Sequence, residues 1–335
     1  QLRWLWRWWR ACRAPVFAAN RAQMYQLARY SQQRLHALSQ DLQLQHEQAS
    51  GYLVLLRTAK ELHSARAGLK LMAELGVGFH LVDAARARGI EPGLNPATTL
   101  HAAVHLPADE VGNCRQFAQA MRAQAQRLGT VFQFQRSVTG ITPGATPGGT
   151  AVVQHRPTDS AGAPQDQSFD AVVVCAAMGS TALLRPLGLR LPLLAVHGYS
   201  LTAPLRVVEG HPELGPRAGV MDEKYKVAIS RLGQRVRVAG SAELGGRQDS
   251  MNPASLQTLH KVLDDWYPGC VQLAQAQRWK GARPMLPDGP PVLGACAAPG
   301  IWLNLGHGSS GWALACGSAR VLADQIAGQA PAIDT

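Results

Sequence analysis

The chain has 335 residues, 46% of them hydrophobic and 16% charged, which suits a folded protein of up to two domains and excludes a disordered or fibrous chain. Lysine and arginine number 33 against 22 acidic residues, but they are scattered and form no block of five or six, so the charge alone does not describe a nucleic-acid-binding protein. The six cysteines lie far apart with no C-x-x-C pair, as reduced thiols of a cytoplasmic protein would, and no apolar run reaches the ~18 residues that a membrane span requires.

The first ten residues carry four of the eight tryptophans. Trp4, Leu5, Trp8 and Trp9 share one helical face, with Arg3, Arg7 and Arg10 beside it. Two readings follow: an aromatic face packed on the rest of the protein, or an interfacial anchor in which arginine meets lipid headgroups. Met24, Leu27, Ala28, Leu35 and Leu38 then mark a helix from Asn20 to about Asp41. A strand is expected over Gly51–Leu56, a helix over Ala59–Leu75 closed by Gly76, and an extended stretch over Phe79–Val82. The apolar run His101–Leu106 leads to a boundary at Pro107. Asn113, with Gln116 three residues on, caps a helix over Cys114–Leu128 that Gly129 ends. Strands follow over Val131–Phe134, Ala151–Gln154 and Ala171–Cys175, the last two joined by a Pro/Gly/Ser-rich stretch from Pro157 to Ser168. The continuous apolar run from Ala171 to Ala177 predicts a central strand buried on both faces.

From Leu191 to about Val238 the period changes to two: Tyr199, Leu201 and Ala203 alternate, as do Tyr225, Val227 and Ile229. Antiparallel strands with one wet face produce that pattern. A helix from Pro253 to about Trp266 follows. The two textures, β–α–β with buried strands and antiparallel sheet with helices, alternate along the chain. They predict a mixed α/β fold of two interleaved domains.

Near the end, Gly306, Gly308 and Gly311 form G-x-G-x-x-G between the apolar run Ile301–Leu305 and a helical pattern from Trp312 to Ile326. Strand, glycine turn and helix together can hold a ligand, because glycine admits close approach of backbone and the helix N-terminus points N–H groups at a polar edge. A dinucleotide fingerprint also needs a second strand ending in an acidic residue about 20 positions on. No such strand follows within the 335 residues, so this turn is not the opening unit of a Rossmann domain. No G-x-S-x-G elbow is present, and no histidine shows a metal-binding spacing, so no metal is expected.

The run Gly281-Ala282-Arg283-Pro284-Met285-Leu286-Pro287-Asp288-Gly289-Pro290-Pro291-Val292-Leu293-Gly294, followed by Trp302 to Trp312, resembles the C-terminal signature of FAD-dependent amine and amino-acid oxidoreductases, the D-amino acid oxidase-like flavoproteins. Within them it is most similar to the D-amino acid dehydrogenases. Leu106–Glu110, His197–Leu201 and Asp222–Ile229 agree in order, and the likeness runs through essentially the whole chain. It implies an incomplete FAD-binding, Rossmann-like domain (106–190 and 278–335) interleaved with an antiparallel-sheet substrate domain (1–105 and 191–277). It also implies that the family's first βαβ unit, which holds the FAD diphosphate, lies ahead of Gln1.

The resemblance implies roles as well. Arg283 would hold the substrate carboxylate through its planar fork. Gly306, Gly308, Ser309, Ser310 and Gly311 would cradle the flavin, and His307 would line the cavity. Tyr199 and Tyr225 would border the substrate, Val138 would meet the adenine through its backbone, and Ala176 and Ala177 would lie close to the cofactor. Ala177 stands where such proteins more often have glycine. No side chain is expected to act as a catalytic acid or base, because the flavin carries the chemistry. The implied reaction is oxidation of a D-amino acid by hydride transfer to FAD, hydrolysis to a 2-oxo acid and ammonia, and electron transfer to a quinone, with residues 1–10 touching the inner membrane. The rival readings are a related oxidoreductase for glycine, proline or sarcosine, and a non-catalytic fragment unable to hold FAD.

Overall fold

A computed structural model describes residues 2–146, 148–159, 162–211, 214–247 and 249–334; Ser160 and Ala161 of the Pro/Gly/Ser-rich stretch fall outside these. In chain order the elements begin with α1 (Leu2–Ala11), α2 (Ala14–Asp41), β1 (Ala49–Leu56), α3 (Ala59–Glu74), β2 (His80–Asp83), α4 (Ala84–Ile90) and β3 (Ala102–Val111). They continue through α5 (Cys114–Arg127), β4 (Arg136–Thr142), β5 (Ala151–Pro157), β6 (Gln165–Phe169), β7 (Val172–Val174) and α6 (Ser180–Leu184). The remainder are β8 (Leu194–Pro204), β9 (Gly219–Asp222), β10 (Val227–Leu232), β11 (Arg235–Leu244), α7 (Pro253–Trp266), β12 (Gln277–Met285), β13 (Val292–Ala295), β14 (Ile301–Leu305) and α8 (Gly311–Ile326). Helix starts follow the local chemistry: the side chains of Thr58, Asp83, Asn113 and Asn252 accept from backbone N–H groups in the first turns of α3, α4, α5 and α7.

The chain forms two compact units, one of Gln1–Leu44, Met121–Val196 and Arg283–Thr335, the other of Gln45–Ala120 and His197–Ala282. The second unit is built on the eight-stranded sheet, in the order β12-β8-β11-β10-β9-β1-β3-β2. Alternate residues of β8, β10 and β11 (Tyr199, Leu201, Val227, Ile229, Val236, Val238) bury one face, on which Leu259, Val262 and Trp266 of α7 pack. Pro107 does not end a strand, contrary to the sequence reading; β3 runs through it. Glu110 pairs with Ser50 and Leu106 with Tyr52, so residues 107–109 lie opposite the irregularity at Gly51. A ladder N–H is not needed there, which is where a strand tolerates proline.

The first unit holds two small sheets, β13-β14-β7 and β4-β5-β6, with α2 packed on α8. Gly317 of α8 meets Ser31 of α2, and a Cβ there would lie 2.9–3.0 Å from Ser31 atoms. Residues 131–134, expected as a strand, are irregular, and regular structure starts at Arg136. The larger correction concerns β7. Val172–Val174 pairs with β14 alone among the described residues, Val173 is 38% exposed and Cys175 is exposed, so the strand lies at an edge rather than at the centre. The apolar sequence fits two neighbours; the sheet supplies one, and a cleft of about 560 Å³ opens beside it.

Candidate active site

The site begins with two distant stretches that meet inside the first unit. β14 ends at Leu305, and the backbone turns through Gly306 (φ +80) and Gly308 (φ +56), the left-handed region that favours glycine. At the turn, Gly308 N–H donates to the Pro284 carbonyl at 3.2 Å, and Met285 forms a bridge with His307. A Cβ on Gly306 would stand 2.4 Å from Leu286 Cδ1, and one on Gly308 2.5 Å from Met285 Sδ. These glycines are therefore fixed by the run from Pro284 to Leu286 pressing on them.

Arg283 precedes Pro284 on the same strand, so its side chain leaves on the face that Met285 uses, two residues on. It is partly buried, and burial pulls its guanidinium below the ordinary arginine value. It still keeps its charge at any working pH. A partly dehydrated, permanent cation is suited to a small anion, because part of its desolvation cost has already been met by the fold.

His307 is tied to the next helix: its Nε2 lies 3.1 Å from Ser318 Oγ. The Ser318 hydroxyl proton is directed at the Leu314 carbonyl, 2.8 Å away, so Ser318 accepts and His307 Nε2 donates. That leaves Nδ1 as the acceptor of the ring. Burial lowers the His307 pKa from its usual value, so the neutral form prevails at neutral pH. Sequence reading found His307 but not Ser318, since eleven residues and a turn separate them.

α8 starts at Gly311 behind Ser310, whose side chain makes no cap hydrogen bond. The first-turn N–H groups, together with half-exposed Gly308 and exposed Ser309, form a main-chain bed next to Arg283's strand. This arrangement fits the polar edge of a flat ring that gains negative charge on reduction. Ser309, Ser310 and the three glycines are the residues that would hold it.

Val138 and Ala176 belong to a second set of residues. They line the cleft beside β7, with Ile141, Val153, Leu183 and residues 172–175, and the glycine turn does not contribute to its lining. Ala177 adopts φ +47, which costs an L-residue ~1–2 kcal/mol and which glycine would adopt freely. Tyr199 and Tyr225 belong to the second unit. Tyr199 is buried; its hydroxyl donates to Glu243 Oε2 at 2.5 Å and accepts from Asn252 N–H. Arg57 and Lys261 cover the Tyr225 ring, with Arg57 also bonded to Asp222 and Asp265. Among the described residues no group of three or more His, Cys, Asp or Glu side chains could hold a metal ion.

Comparison with known proteins defines the class. The family described as DAO, FAD dependent oxidoreductase, matches residues 3–325. A D-amino acid dehydrogenase of Rhizorhabdus wittichii is 38% identical over all of this chain and 78% of its own length. One from Cereibacter sphaeroides is 40% identical, again over all of this chain and 74% of its own. The solved glycine oxidase of Geobacillus kaustophilus shares the fold, with a TM-score of 0.79 at 20% identity over 92% of this chain and 80% of that one. The chain belongs to the FAD-dependent oxidoreductase family and is an FAD-dependent enzyme.

Proposed function

We propose that this enzyme oxidises D-amino acids to 2-oxo acids and ammonia and delivers the electrons to a quinone. The reading is carried by one observation: Arg283 sits one residue from the carbonyl that binds the Gly308 N–H, which sets a partly buried cation on the strand next to the main-chain bed at α8. The resemblance to D-amino acid dehydrogenases favours a D-amino acid over other anions.

Bound FAD supplies the two-electron acceptor. Arg283 receives the substrate carboxylate in two parallel hydrogen bonds, which fixes the rotation of the Cα–H bond and turns an encounter into a positioned step. The amine must be neutral before its lone pair can form the C=N bond as hydride leaves Cα. His307, neutral and with Nδ1 as acceptor, is placed on the same turn and suits a polar contact to substrate that needs no charge. The product imino acid takes up water, and the carbinolamine so formed releases ammonia and leaves the 2-oxo acid.

The test is purification of the 335-residue chain with excess FAD, followed by flavin absorbance and dye reduction with D-alanine, L-alanine, glycine, L-proline and sarcosine. Turnover that follows D-amino acids, with quinone analogues replacing the dye, is the expected result. Turnover confined to glycine, proline or sarcosine replaces it with a related amine oxidoreductase. A second reading rests on the open edge of β7 and the cleft beside it: the chain folds but does not retain FAD, and colourless protein after reconstitution is its outcome.

A further inference from the structure

Strand β12 lies at one end of the eight-stranded sheet, so alternate backbone groups along it face outward with no strand beside them. At its far end Met285 bridges to His307. Among the described residues, however, the backbone of 277–282 makes no hydrogen bond beyond its own sheet. Trp279, within this open stretch, is 55% exposed. Its ring lies along the strand over Gly281, where a Cβ would stand 1.9 Å from the indole Cη2. The residue between them, Lys280, leaves the strand on the other side.

The Lys280 side chain is 4% exposed, and its Nζ donates to Glu243 Oε2 at 3.1 Å, to the Ser250 carbonyl at 2.8 Å and to the Arg247 carbonyl. The ammonium also lies 5.3 Å from the ring of Tyr199, which is buried on the side that α7 covers. A charge on the inner side of an edge strand ordinarily blocks pairing, because a new neighbour would strip its water. Lys280 has almost no water to lose, and its charge is already met by Glu243 and two carbonyls. The usual guard of an open edge is therefore inactive here. Leu244 and Met251, next in sequence to Glu243 and Ser250, are 50% and 42% exposed, so further apolar surface lies near the same edge.

We propose that β12 pairs with β12 of a second copy of this chain, antiparallel about a two-fold axis beside Lys280, so that two eight-stranded sheets join edge to edge. Such an axis requires one residue to face its own copy, because it cannot exchange the hydrogen-bonded and non-hydrogen-bonded pairs that alternate along an antiparallel ladder. With Lys280 in that place, Trp279 faces the partner's Gly281 and exposed Arg278 faces the partner's Ala282. Each large exposed side chain then meets a small one. Centring on Trp279 would set two indoles against each other, and centring on Gly281 would set Trp279 against the partner's Arg283. The two facing lysines turn inward, each neutralised by the Glu243 of its own chain, so like charge does not oppose this register.

The experiment is sedimentation equilibrium of the 335-residue chain over a range of micromolar concentrations. The expected result is a species of twice the 35.9 kDa of one chain. Trp279→Lys should raise the dimer dissociation constant by about 100-fold, roughly tenfold for each of the two indoles, while circular dichroism and melting stay unchanged because the side chain is exposed. Register is read by oxidising Arg278→Cys chains, Ala282→Cys chains and a mixture of the two. The mixture should give a covalent dimer that neither gives alone, since position 278 faces 282 but lies about 13 Å along the strand from its own copy, beyond the reach of a disulfide. The exposed Cys12 and Cys175 contribute equally to all three samples. If Trp279→Lys disturbs folding, the cross-link decides. A monomer at every concentration, a dimer that Trp279→Lys leaves intact, or the absence of a band specific to the mixture would each overturn the proposal. None of these readouts needs flavin, so failure here is separate from failure of the proposed activity.

Discussion

Arg283 is where the proposed chemistry is most exposed to experiment. Its value lies in the planar fork, which a lysine ammonium cannot reproduce although the charge is kept. Arg283→Lys should therefore lower kcat/KM for D-alanine by about 10- to 100-fold, the equivalent of ~1.5–3 kcal/mol for a charge-assisted bond, mostly through KM. Steady-state dye reduction measures it, and an unchanged kcat/KM would remove Arg283 from the site. Ala177 invites the opposite kind of change. Its φ of +47 is strained, so Ala177→Gly should raise stability by about 0.5–1 kcal/mol once the greater freedom of glycine in the unfolded chain is deducted. Urea denaturation reads the sign directly, and a loss of stability would show that the Cβ earns favourable packing that outweighs the strain.

Elements in this protein meet through small residues. α2 and α8 approach closely because Gly317 sits against Ser31, itself nearly inaccessible to water. Gly317→Val would drive two methyl groups into the α2 backbone and should cost about 2–3 kcal/mol, seen as a lower urea midpoint at unchanged slope. The same packing shows what a sequence discloses and what it hides. Thr58, Asp83, Asn113 and Asn252 cap their helices by local bonds spanning two or three residues, so a reader could place α3, α5 and α7 closely from Thr58, Asn113 and Asn252 or from apolar period. The glycine turn after β14 was equally legible, since positive φ is a backbone need that glycine announces. Pro107 misled because its tolerance depends on the Gly51 irregularity in another strand, more than fifty residues away. β4 and β6 were missed for a related reason: Arg136–Thr142 and Gln165–Phe169 are mostly exposed polar strands held by pairing with β5, and pairing leaves no trace in hydrophobic period. Among the site residues Arg283, His307 and the glycines could be found by motif, whereas Ser318 and the contacts of Met285 and Leu286 exist only once the chain has closed.

Over the whole molecule, buried titratable groups make stability depend on pH in a direction that can be stated in advance. His46, His105 and His307 all have lowered pKa values, burial being the largest cause in each; Glu110 partly offsets it at His46, while His80 and Arg86 reinforce it at His105. The unfolded chain therefore takes up protons first as pH falls below the ordinary histidine value of ~6.5, and folding loses stability through that range, being complete above it. Glu91 acts in the opposite sense. Burial raises its pKa, against backbone hydrogen bonds from Arg217 and Ala218, so its contribution improves as pH falls from its folded value toward that of a free carboxylate. Two opposed terms make the bare melting curve a poor test; a difference removes the ambiguity. The parent and a triple variant, His46→Gln with His105→Gln and His307→Gln, would be melted from pH 8 to pH 5.5. Glu91 contributes equally to both, so the parent should lose more melting temperature than the variant as pH falls below about 6.5, and the gap should be constant above it. Parallel curves over the whole range would mean that these three imidazoles are protonated as readily in the fold as in water, and the neutral His307 assigned to the active site would fall with them.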